Sequence, residues 1–225
     1  MQTSDAKSPT GFRTATLIAG AAGVAGGLYL ASGTPIGQLF WPWFLSRGSG
    51  IVAYVLLWAS VCLGLMQSSH MLKGITLPAA NIDVHDFLSV ASLHATLFHA
   101  LILTWDSYIA LHLKDVLIPF ATAYKPFPMA IGIIAFYLCL IATVTTYLRA
   151  YLKPLTWRTV HQVTSCGFAL ALLHGVLTGT DGNLAPIAFL YFFTGATAAL
   201  LLLYRIYLAM TERNRPGSAR STGGL

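Results

Sequence analysis

Seven histidines occur in this chain of 225 residues, and five of them fall inside long apolar runs. His85, His94 and His99 share one run; His161 and His174 share another. An imidazole in an apolar helix is costly to bury and marks a functional position by default. Their spacing is more informative than their number. The interval from His85 to His99 and the interval from His161 to His174 differ by a single residue. As α-helix these separations are ~21 and ~19.5 Å of rise, close to four turns each. One apolar run stands between the two, so both cross in the same direction and the histidines pair by depth at two levels. Paired neutral imidazoles from facing helices are what a bis-histidine haem iron needs as axial ligands. At ~100° per residue, the first interval brings His99 within about 40° of the face of His85, while His94 points about 180° away. The same arithmetic leaves about 140° between His161 and His174, which only a helix distortion or offset haems would absorb. The plainer alternative is four polar residues hydrogen-bonded between helices. His94 reads as a packing or hydrogen-bonding residue, and His70 and His112 as solvated loop residues.

The elements that must position these residues follow from composition. The chain is 56% hydrophobic and 9% charged, with a mean hydropathy of +0.69. Soluble chains are about a quarter charged, so lipid must be the main solvent. Six apolar runs are predicted to span the bilayer, at 13–32, 49–67, 84–109, 128–151, 157–178 and 184–210. None shows the dyad alternation of a barrel strand, which leaves an all-α, six-helix transmembrane bundle. Residues 1–12 read as a polar tail, 13–210 as the membrane domain and 211–225 as a disordered cytoplasmic tail. The first run is longer than a signal-peptide core and lacks a good cleavage site, so we expect a retained helix. Its Gly23 and Gly27 suit close helix packing. Six spans of ~20 residues use more than half the chain and exclude a self-contained nucleotide-binding domain.

Lys and Arg set the orientation. With the N-terminus inside, the cytoplasmic side receives Lys7, Arg13, Lys73, Arg149, Lys153, Arg158, Arg205, Arg213, Arg215 and Arg220; the outer side receives Arg47, Lys114 and Lys125. Both termini are therefore predicted to be cytoplasmic, and the net charge of +6 is a topology signal that needs no nucleic-acid partner. Cys62, Cys139 and Cys166 have no metal-type spacing and read as small apolar residues.

Several stretches resemble the ferric reductase-like transmembrane family, which includes the NADPH oxidase membrane domain and the haem subunit of bacterial methionine sulfoxide reductase systems. They are Ser46 to Tyr54, His85 through His99, Asp106 to Ile109, Pro119 to Pro126, Gly132 to Tyr137, Trp157 to His161 and His174 to Asp181. The resemblance implies two haems b, an inner one held by His85 and His161 and an outer one by His99 and His174. The family often has a basic residue after the first ligand, where this chain has Asp86. Arg158 or Lys153 would then neutralise the inner propionates. Propionates are anions that want a cation near the membrane surface, and Arg47 suits the outer haem; its plainer role is an interfacial anchor, as a topology charge is for Arg158. Phe98 and Phe168 fall between the two levels, as core residues or as part of the inter-haem path.

The implied function is transmembrane electron transfer in the cell membrane, making the chain the electron-transfer subunit of an oxidoreductase. The donor would be a separate cytoplasmic flavoprotein or a quinol, and the acceptor extracytoplasmic. His112 and Asp115 in the outer loop could hold ferric iron, or be ordinary solvated groups. Two other readings stand beside it: the membrane haem anchor of a periplasmic reductase such as methionine sulfoxide reductase, and a non-redox scaffold or transporter.

Overall fold

The computed structural model describes residues 35–106, 111–179 and 181–213. The predicted first span, at 13–32, and both predicted tails but for residues 211–213 lie outside them. The described residues form helices and no strand: α1 (Pro35–Ser68), α2 (Pro78–Ile102), a short α3 (Leu113–Leu117), α4 (Pro126–Tyr147), α5 (Pro154–Gln162), α6 (Thr164–Thr178) and α7 (Ala185–Arg213). Single 3-10 turns follow α2 at Leu103–Trp105 and α4 at Arg149–Tyr151. Five stretches are long and apolar enough to cross a membrane, with α5 and α6 together making one of them. The described residues thus form an all-helical fold suited to a lipid bilayer.

Proline opens α2, α4 and α5, where its missing N–H costs nothing and its fixed φ suits the first turn. α1 starts well ahead of the predicted 49–67 run. Hydropathy stops at Ser46, Arg47 and Ser49, but the helix does not. The Ser46 and Ser49 hydroxyls donate back to the carbonyls of Trp43 and Leu45, and Arg47 pairs with Asp181. Polar groups satisfied in this way let a helix run on through a polar stretch.

α1 lies antiparallel against α2, and α4 antiparallel against α6, in the two most extensive helix contacts of the fold. α7 packs on α1 around Tyr54, Val61, Cys62, Phe168 and Ala198. This seam also carries polar contacts of the kind that bind helices in lipid: Tyr54 with Thr194, and Trp58 Nε1 donating to Thr197 Oγ1 at 3.0 Å. A smaller cluster of Leu111, Val116 and Met129 lies where α3 meets α4.

The fifth predicted span is broken at Val163, between its two histidines. No glycine or proline stands there. Instead the Thr164 hydroxyl donates to the His161 carbonyl at 2.7 Å, and Val163 N–H turns to the Val160 carbonyl at 3.2 Å. Val163 keeps right-handed helical angles (φ −63°, ψ −18°), so the interruption is a single residue of 3-10-type bonding.

Candidate functional site

The four histidines meet in pairs, in two separate cavities. His99 from α2 and His174 from α6 line one of about 330 Å³, together with Arg47 and Gly50 of α1 and Gly132 of α4. His85 from α2 and His161 from α5 line the other, of about 380 Å³, together with Asp83, Asp86, Thr146 and Arg149. Volumes of this order suit small-molecule or cofactor sites. The near edges of the two cavities lie within one helical turn. On α2, Ser92 lines the first and Val90 the second; on α4, Cys139 lines the first and Thr143 the second. Such steps along a helix amount to ~3–6 Å.

Hydrogen bonds fix which ring nitrogen each histidine offers. His99 Nδ1 lies 2.6 Å from the Ser46 carbonyl, His85 Nδ1 3.0 Å from that of Ser60 and His174 Nδ1 2.8 Å from that of Pro128. A carbonyl only accepts, so each of these Nδ1 atoms carries the proton and Nε2 keeps the lone pair. His161 reaches the same state through a hydroxyl. Thr146 Oγ1 donates its one proton to the Ala142 carbonyl at 2.9 Å, which leaves it to accept from His161 Nδ1 and Trp157 Nε1, both at 3.3 Å. Nε2 makes no hydrogen bond to the described residues in any of the four. This is the arrangement that orients histidines as metal ligands.

A bis-histidine iron sets a distance that the rings must meet. With metal–imidazole bonds of ~2.0 Å and ring nitrogens about 1.15 Å from the centroid, two axial imidazoles place their centroids roughly 6.3 Å apart. The His85 and His161 centroids are 5.9 Å apart, their planes turned by 67°. That separation is close to the one a pair of axial imidazoles requires. Among the described residues no three His, Cys, Asp or Glu side chains converge on a point.

The cations are distributed differently from the expectation. Arg47 lines the His99–His174 cavity, pairs with Asp181 and lies over the Trp43 ring, 3.7 Å from its centroid. Arg158 is exposed and does not line the His85–His161 cavity, and neither does Lys153; Arg149 does. The 3-10 turn after α4 carries Arg149 to this edge. His94 is exposed and bonds the Val90 carbonyl of its own helix at 2.8 Å, a local role away from both cavities. Phe168 is buried in the α1–α6–α7 core, stacked on Tyr54; neither it nor Phe98 lines a cavity. Asp115 accepts from the backbone N–H of His112 at 2.9 Å, and so caps α3. Lys125 also caps a helix, with its Nζ 3.3 Å from the Leu177 carbonyl at the end of α6.

Asp181, Thr146 and the glycines facing the histidines have no role in the sequence reading, and Arg149 has only that of a topology charge. One signal was available for the glycines: in the neighbouring run, Gly50 and Gly64 repeat the interval that separates His85 from His99.

The family profile described as "Domain of unknown function (DUF8596)" matches residues 41–181, and the chain belongs to that family. The matched stretch contains all four histidines, Arg47 and Asp181. No curated protein and no solved structure matches the chain.

Proposed function

We propose that this membrane protein is a haem b electron conduit of ferric reductase type. His85 and His161 would hold an inner haem, and His99 and His174 an outer one. The protein would sit in the cell membrane as a six-helix bundle with both termini cytoplasmic, the orientation that the distribution of Lys and Arg favours. When bound, two haems would supply one-electron transfer from a cytoplasmic flavoprotein or quinol to an extracytoplasmic acceptor.

The observation that carries this reading is the pairwise meeting of four histidines in two cavities, each with Nδ1–H engaged and Nε2 unbonded. A scaffold using the histidines only as interhelical polar contacts has no need of unbonded Nε2 atoms beside open space. The chain's own part is to orient and insulate. The Nδ1 bonds hold each ring in one tautomer and one plane. Ile51, Leu57, Leu93 and Phe136 give the His99–His174 site apolar walls, and a low dielectric strengthens any charge interaction inside it. Arg47 and Arg149 stand at the two cavities as cations for propionates. The near edges of the two cavities, within one helical turn of each other, support passage of an electron between two centres.

Purified protein tests the reading through a reduced-minus-oxidised spectrum with haem quantified per chain. We expect a dithionite-reducible, low-spin b-type spectrum and two haems per chain. A folded, colourless protein would overturn it.

A further inference from the structure

The histidine seats share a construction on the facing helix. In three of them the Nδ1 acceptor is the carbonyl of residue n and the residue at n+4 is glycine: Ser46 and Gly50 for His99, Ser60 and Gly64 for His85, Pro128 and Gly132 for His174. Helix geometry explains the offset. The carbonyl of n points toward the N–H of n+4, and the Cα–Cβ bond of n+4 tilts back toward the N-terminus. Any side chain at n+4 therefore overlies the carbonyl that the imidazole must reach.

The distances bear this out. A Cβ on Gly50 would lie 3.0 Å from both Nδ1 and Cε1 of His99, one on Gly64 3.1 Å from Cε1 of His85, and one on Gly132 2.6 Å from Nδ1 of His174. The same edge of the ring meets the glycine each time. Gly48, on the same helix as Gly50, has nothing within 4 Å of such a Cβ. The fourth seat departs from the pattern. Ala142 and Thr146 occupy n and n+4, and the Thr146 hydroxyl covers the Ala142 carbonyl and receives His161 in its place. Thr146 follows Gly132 on α4 at the same interval as Gly64 follows Gly50 on α1.

We propose that Gly50, Gly64, Gly132 and Thr146 are positioning residues that present the four histidines as Nε2 ligands, with Thr146 giving His161 a weaker acceptor than the carbonyls behind the other three. This rests on the haem reading above. A hydrogen bond from Nδ1–H raises the basicity of a ligating imidazole, and a more basic ligand favours the oxidised iron. The His85–His161 centre would thus be the one whose potential depends on a side chain at position 146.

The test uses the full-length protein in detergent or nanodiscs, with haem per chain and the reduction potential of each centre as readouts. Gly132→Ala is expected to lower haem content from two per chain to one, or to shift the potential of one centre, while Gly48→Ala changes neither. Thr146→Val is expected to keep two haems and raise the potential of one centre only, and Thr146→Ser to return it toward the original value. Folding is checked by a cycle. Gly132→Ala should lower the thermal midpoint, and it should no longer do so in a His174→Ala background, where the clashing ring is gone. Two haems in the original protein, with Gly132→Ala matching Gly48→Ala or with Thr146→Val moving both centres or neither, would refute the seats alone. Absence of haem from the original protein would refute the haem reading and the role in ligation with it. Loss of the coupling in the stability cycle would refute the seat geometry itself.

Discussion

Alanine substitution at one level of histidines should be indistinguishable from alanine substitution at its partner on the other helix. His99→Ala removes the Nδ1 bond to Ser46, but the Ser46 carbonyl lies inside α1 and keeps its helical partner. A single hydrogen bond of this kind contributes about 0.5–1.5 kcal/mol net. Truncating a ring that already borders a cavity adds little new void. The expected cost is therefore roughly 1–2 kcal/mol, or about 2–8 °C in thermal midpoint for a chain of this size, and the fold survives. The effect on a bound haem is all-or-none by comparison, because one of two axial ligands is gone. Haem per chain should fall from two to one for His99→Ala, for His174→Ala and for the double variant alike. His85→Ala and His161→Ala should remove the other centre. The assay is pyridine haemochrome quantification with low-temperature spectra that resolve the two α-bands. If His99→Ala and His174→Ala remove different bands, or the double variant loses both, the pairing by cavity is wrong.

Three further outcomes follow from the same geometry. His94→Ala should leave both haems and their spectra unchanged, since His94 is exposed and bonds only within its own helix; loss of either band would return it to the site. Thr164→Val removes the hydroxyl that bonds the His161 carbonyl and should displace His161, weakening the inner band at a stability cost of about 1 kcal/mol; an unaltered spectrum would show that the seating of His161 does not depend on this contact. Arg47 and Asp181 are 24% and 37% exposed, so screening should hold their coupling in a double-mutant cycle below ~1 kcal/mol, shrinking further as salt is raised; a larger, salt-insensitive coupling would mark the pair as desolvated.

Much of the fold was legible because hydropathy reports burial in lipid directly. The predicted runs at 84–109, 128–151, 157–178 and 184–210 each overlap a described helix or helix pair. Errors fell where polar groups satisfy themselves locally. Ser46 and Ser49 bond back to their own helix, so α1 continues through a stretch whose composition reads as loop. The interruption at Val163 has no marker in the sequence, since threonines that bond back to their own helix recur along the chain without one. Arg149 and Arg158 are equally basic, and each lies near the end of a predicted apolar run. Only the turn after α4 decides that Arg149 borders a cavity.

The sequence by itself determined the solvent of this protein and the depth of its polar residues. Both are properties of a single run: apolar length sets whether a helix can span, and the interval between two histidines sets their rise along the axis whatever the neighbours are. Tertiary structure alone decided which nitrogen each imidazole presents, because the acceptors are groups on another helix, well removed along the chain. It also gave the glycines their meaning. Gly48 and Gly50 are alike in the sequence and stand on either side of one serine. Only the packing of α2 on α1 places an imidazole against one of them and empty space against the other.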